Sequence, residues 1–95
     1  MTTTFTISGD FDAARVEAMR PDLDALIDGE NDVVLDLSGC RFIDSSGVGA
    51  MVFLHKRLRA RGYRVNATGL HGQPLKLLRH LGIASLMSPI RDRAA

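Results

Sequence analysis

The chain has 95 residues, of which 45% are apolar and 24% charged, with three histidines and a single cysteine. That size fits one small domain, residues 1–95, built on one core. No run of apolar residues is long enough to span a membrane, and the opening MTTTFTISGD lacks the apolar stretch of an export leader. Cys40 has no second cysteine to pair with and no histidines at metal-ligand spacing, so the expected setting is reducing and cytoplasmic, with no membrane insertion, metal or other cofactor.

The formal net charge of +1 conceals an asymmetry. Residues 1–44 carry ten acids against three bases, net −7, whereas residues 45–95 carry nine bases against one acid, net +8. Such polarity can steer a charged partner, or the two halves can cancel by folding against each other.

In chain order, TFTIS (4–8) alternates apolar and polar residues and reads as a half-buried strand ending at Gly9. From Asp12, a good N-cap, the residues Val16, Met19, Leu23, Leu26 and Ile27 recur at helical steps. Pro21 interrupts that helix, since it removes a backbone donor and clashes with the preceding turn, so a kink or restart is expected there, with Gly29 closing the element. DVVLDLSG (32–39) is rich in β-branched residues and suits a strand buried on both faces, as in a parallel sheet covered by helices. A second helix follows Ile43. Gly47, Met51, Leu54 and Leu58 form its apolar stripe, Val48 and Val52 widen it, cations enrich its later turns, and Gly62 ends it.

YRVNATG (63–69) alternates again and reads as a strand; PLKLLRHLG, with Leu75, Leu78 and Leu81, reads as a short helix opened near Pro74 and stopped by Gly82. A weak strand is expected at Leu86–Ile90. Strands separated by helices require crossover connections, which gives an α/β architecture: a mostly parallel central sheet of about four strands with helices packed on it.

FIDSSGVGA (42–50) is the stretch that carries chemistry. It lies where a strand turns into a helix, and a helix start offers unpaired N–H groups and the positive end of the helix dipole. Structurally, Asp44 or Ser45 serves as N-cap and Gly47 allows close packing. A hydrolase elbow would need glycine two residues before the serine, where Ile43 and Asp44 stand, and none of His55, His71 and His80 is tied by sequence to either serine. A nucleotide cradle would need a third glycine at position 52, which is Val52. A phosphate that arrives covalently on the serine is the remaining reading: it meets the exposed N–H groups of the helix start and is opposed by the neighbouring carboxylate, a balance suited to a switch. The basic run Lys56, Arg57, Arg59, Arg61, Arg64 lacks interleaved aromatics other than Tyr63 and reads as a solvated face, with no direct nucleic-acid partner. Phe53 falls off the apolar stripe and is a candidate for contact with another protein.

With these residues in place, VVLDLSGCRFIDSSGVGAMVFLHKRLRARGYRVNATGL resembles the STAS domain of anti-sigma factor antagonists, whose strand is followed by a D-S-[ST]-G-[LVI]-G turn and helix. SGDFD (8–12) resembles that family's G-x-[LIVF]-D stretch, and LLRHLGIASLM its third helix and approach to the last strand. The resemblance implies a STAS fold lacking the usual extra N-terminal strand and C-terminal helix, with a sheet edge open to a covering partner. It implies that Ser45 is a phosphoacceptor and that Asp10, Asp12, Asp44, Ser46, Gly47 and Gly49 form the partner-binding surface around it. It further implies that the chain is not an enzyme but the substrate and partner of a serine kinase that doubles as an anti-sigma factor, restored by a cognate phosphatase. Short STAS proteins also resemble the cytoplasmic accessory subunit of bacterial lipid-transport ATPases, which gives docking on a transport ATPase subunit as the alternative.

Overall fold

The computed structural model describes residues 1–83. Its strands are β1 (Thr2–Thr6), β2 (Gly9–Phe11), β3 (Asp32–Asp36), β4 (Cys40–Ile43) and β5 (Val65–Thr68); its helices are α1 (Ala13–Ala18), α2 (Arg20–Asp28), α3 (Ser45–Ala60) and α4 (Gly72–His80). All pairings are parallel: β1 and β5 flank β3 in one sheet, and β2 pairs β4 in a second.

The two sheets are stitched together by backbone hydrogen bonds. Ile7 N–H donates to Asp36 O at 3.0 Å, and Gly9 N–H to Gly39 O at 2.8 Å, so the β1–β3 pairing continues into β2–β4. The strand expected over 4–8 is observed as β1, ending at Thr6, and a further strand, β2, starts at Gly9, where the expected one was to end; the run 32–39 is followed by β4. Local irregularity marks these junctions: Gly9 has φ +78, and Cys40 N–H turns back onto Leu37 O at 3.0 Å.

The first helical segment breaks where the proline demands. α1 ends at Ala18, Met19 joins the two helices, and Pro21 falls in the first turn of α2, where its missing N–H would be unpaired anyway. Gly29 caps α2 in right-handed geometry, while the left-handed residue at this reversal is Glu30, φ +57.

The core gathers side chains from nearly every element. Val33, Leu35 and Leu37, together with Ile7, Val65 and Ala67, meet Met51, Leu54 and Leu58 of α3, Leu23, Leu26 and Ile27 of α2, and Leu78 of α4. β3 is fully buried on one face only. Val34, on the other, is half-buried, so this strand alternates rather than being covered on both sides. Leu78 is the inward residue of α4, whereas Leu81, expected on the same stripe, is 49% exposed just beyond the helix end. The strand expected at Leu86–Ile90 lies outside the described residues.

Candidate functional site

The sequence segment that ends β2 lies beside the segment that ends β4, since Phe11 pairs with Ile43. Each then turns into a helix, so the starts of α1 and α3 lie next to each other. Both turns are capped by a carboxylate in extended geometry. Asp12 Oδ1 accepts from Arg15 N–H at 3.0 Å, and Asp44 Oδ1 accepts from Gly47 N–H at 2.9 Å. The second oxygen of Asp44 reaches across to accept from Ala13 N–H at 3.3 Å, so one carboxylate serves two helix starts.

Gly47 is what lets the two turns approach. A β-carbon there would collide with the Phe11 carbonyl oxygen and lie 2.7 Å from Ile43 Cγ1. Gly47 is accordingly buried, facing the β2 strand rather than solvent. Gly49 is the opposite case: it is exposed, and a β-carbon on it would meet nothing within 4 Å.

Ser45 is the first residue of α3 and is exposed; Ser46 is half-buried. Neither hydroxyl makes a hydrogen bond among the described residues. Ser46 lines a groove of about 400 Å³ with Ala13, Val16, Ala50 and Phe53, and Phe53 is 48% exposed with the Arg57 guanidinium 5.4 Å from its ring centre. Asp10, exposed on β2, shares a shallow hollow with Asp12, Arg15 and Arg41. The Arg15 guanidinium is already engaged, donating to Ser8 O at 2.9 Å. Thus Asp12, Asp44, Ser45 and Ser46 are gathered at one double turn, Asp10 lies at its edge, Gly47 is beneath it, and Gly49 is one helical turn further along the surface.

No imidazole reaches either serine: His71, the one histidine with a side-chain hydrogen bond among the described residues, has Nε2 2.9 Å from Ser38 O. No group of acids, histidines and cysteine among the described residues could hold a metal ion. Two titratable groups elsewhere are perturbed. The Asp36 carboxyl is held below its ordinary value, first by the Ser38 backbone N–H and then by the Ser38 hydroxyl, at 3.0 and 2.7 Å. Burial pushes the Cys40 thiol up.

Sequence reasoning did not find Gln73, which grips β4 immediately before the site. Its Oε1 accepts from Ile43 N–H at 2.8 Å and its Nε2 donates to Ile43 O at 2.9 Å, replacing a strand neighbour with a side-chain amide. The two residues are 30 positions apart, and only the isolated Gln ahead of Pro74 hinted at such a bond.

A parallel sheet with α3 starting directly after a buried strand, and an acid-capped Ser-Ser-Gly turn at that junction, defines a small α/β domain. The family model described as "Mlab, STAS domain" matches residues 2–88, and the chain belongs to the STAS domain family. No curated protein matches it. Among solved structures, a sulfate transporter family protein from Wolinella succinogenes superposes with a TM-score of 0.73 at 16% identity, over 92% of this chain and 71% of that one. The anti-sigma factor antagonist SpoIIAA in its unphosphorylated form gives 0.70 at 22% identity, over 99% and 81%. The phosphorylated form of SpoIIAA, the Bacillus cell fate determinant, gives 0.72 at 22%, over 96% and 84%. At these identities the likeness is one of fold. No helix among the described residues is long and apolar enough to cross a membrane.

Proposed function

We propose that this protein is a cytoplasmic, non-enzymatic binding module of the anti-sigma factor antagonist kind, a single STAS domain switched by reversible phosphorylation of Ser45. The observation that carries the reading is the exposed, unbonded Ser45 hydroxyl on the first residue of α3, directly after a carboxylate already committed to two backbone N–H groups. A phosphate there would gain the remaining N–H groups of the helix start and the positive end of its dipole, while Asp44 and Asp12 would oppose its charge. The fold is thereby spared and an already acidic surface becomes strongly anionic. A serine kinase acting as an anti-sigma factor would grip the unmodified surface, made of Asp10, Asp12, Ser46 and Gly49 around Ser45, and release it once modified; a phosphatase would reset it.

The test is direct. Protein recovered from its own cells should include a species heavier by one phosphate, mapping to Ser45. Ser45→Ala should bind the kinase persistently, and Ser45→Glu should bind it at least about tenfold more weakly, roughly 1.4 kcal/mol. Equal binding by both variants, with no modified species, would sink the switch.

A second reading, a docking subunit of a transport ATPase, is favoured by the family model's description as Mlab. It predicts an ATPase subunit as the captured partner and association indifferent to Ser45→Ala and Ser45→Glu.

A further inference from the structure

The cations of α3 and of its C-cap, Arg61, fall into three groups with different fates. Arg61 turns toward α2, where its Nη1 donates to Ile27 O at 2.8 Å and its guanidinium pairs with Glu30 at 3.4 Å and Asp28 at 3.8 Å. Arg57 lies over Phe53. Lys56 and Arg59, on the remaining side, have side chains with no hydrogen bond or ion pair among the described residues.

The chain then adds a further cation to that unpaired side. Gly62, φ +90, reverses the backbone after α3, and Tyr63 N–H returns to Leu58 O at 2.9 Å. Arg64 is pinned next, its N–H donating to Asp32 Oδ1 at 2.9 Å and its carbonyl accepting from Val33 N–H at 2.8 Å, while its guanidinium stays unpaired. The result is a polar hollow of about 430 Å³ between the helix end and the start of β5, walled by His55, Arg59, Tyr63, Arg64 and Asn66. A second hollow of about 360 Å³, with Lys56 on its wall, shares His55 and Arg59 with the first. Among the described residues no carboxylate lines either.

Neutralising the helix dipole does not account for this arrangement. Near the end of α3 the Leu58 and Arg59 carbonyls are already met by backbone donors from Arg61, Gly62 and Tyr63. Instead, like charges are collected around a concavity of ligand size, with a phenol and a carboxamide beside them.

We infer that this hollow is a binding site for a small molecule bearing a phosphate monoester. Two guanidinium groups, from Arg59 and Arg64, can take a phosphate through paired N–H donors and balance both of its charges. Tyr63 and Asn66 are left to contact the organic portion. A nucleic acid is a poorer fit, because the basic run has no interleaved aromatic other than Tyr63 on which bases could stack. The site is independent of the Ser45 switch: His55 is ten residues further along α3, about 15 Å along the helix axis.

The experiment is an amide NMR titration of the full chain at roughly physiological ionic strength with inorganic phosphate, adenosine monophosphate and ribose 5-phosphate in separate series. Saturable shifts at His55, Tyr63, Arg64 and Asn66 with either ester, tighter than with inorganic phosphate, are expected; the two esters distinguish a nucleotide from a sugar phosphate. Arg59→Gln/Arg64→Gln should weaken binding by about tenfold or more with an unchanged melting temperature, and the remote control Arg79→Gln should leave it intact. Absence of saturation with both esters up to about 10 mM, no gain over inorganic phosphate, or equal loss in the Arg79 control would each overturn the assignment.

Discussion

Gly47 and Gly49 are two residues apart, on one helix, and have opposite reasons to exist. At Gly47 a β-carbon runs into the backbone of Phe11, which cannot yield without shifting β2 away from the site. Gly47→Ala should therefore destabilise the fold by about 2–4 kcal/mol, and Gly47→Val by more. At Gly49 the space is open, so Gly49→Ala should raise stability by about 0.5–1 kcal/mol through helix propensity alone. Urea denaturation of the variants checks both signs. The Asp36–Ser38 turn supplies a pH test. Because the Asp36 carboxyl is held below its ordinary 3.8 in the folded state, its contribution to stability is present above that value and lost as pH falls through the depressed one. Ser38→Ala removes the hydroxyl donor but keeps the backbone N–H, so the Asp36 pKa should rise part of the way back, and the stability gap between variant and parent should close in acid. Side-chain carboxyl NMR titration and acid unfolding read the two effects.

At the scale of elements, the helical stripes were legible because their periodicity is local: Met19, Leu23, Leu26 and Ile27, and likewise Met51, Leu54 and Leu58, are buried where their spacing places them. The break at Pro21 was legible because the ring forbids an interior position whatever surrounds it. The continuation of the edge into a separate strand β2 was not, since it depends on the chain meeting Asp36 O and Gly39 O, far off in sequence. Nor was the left-handed Glu30, where the neighbouring Gly29 was the obvious candidate but kept ordinary helical geometry. In the site, the acid-serine turn was legible from residue types, and the choice between Asp44 and Ser45 as cap was settled only by Gly47 N–H meeting Asp44. The Gln73 clamp was hidden for the same reason as β2. It fastens α4 to β4 through both backbone groups of Ile43, so Gln73→Ala should cost about 1–3 kcal/mol and increase amide exchange at Ile43, whereas a Gln73→Glu variant should retain the bond from Ile43 N–H and lose the one to its carbonyl.

Across the whole molecule, the charge division visible in the sequence is only partly cancelled by folding. Arg61 bridges the basic and acidic halves through Asp28 and Glu30, on the surface, where such pairs contribute little; the other ion pair among the described residues, Arg20 with Glu17, lies within the acidic half. Cohesion rests on the shared apolar core, and Cys40, with no exposed surface, reports on it. Burial raises its thiol pKa, so at neutral pH it should resist a thiol reagent, reacting at a rate that follows cooperative opening and not the local chemistry of the sulfur. Labelling kinetics across a denaturant series should parallel global stability; rapid labelling in native buffer would contradict this packing.

The bond from Ala13 to Asp44 joins residues 31 positions apart at the threshold of Ser45. Any enzyme that modified this serine by drawing the chain out as an extended ligand would first have to tear that stitch and unwind the opening turn of a sixteen-residue helix. An enzyme that modified Ser45 in the folded protein would therefore have to read a contour spanning two distant stretches of chain, and a short synthetic peptide copying FIDSSGVGA would make a poor surrogate for the intact protein.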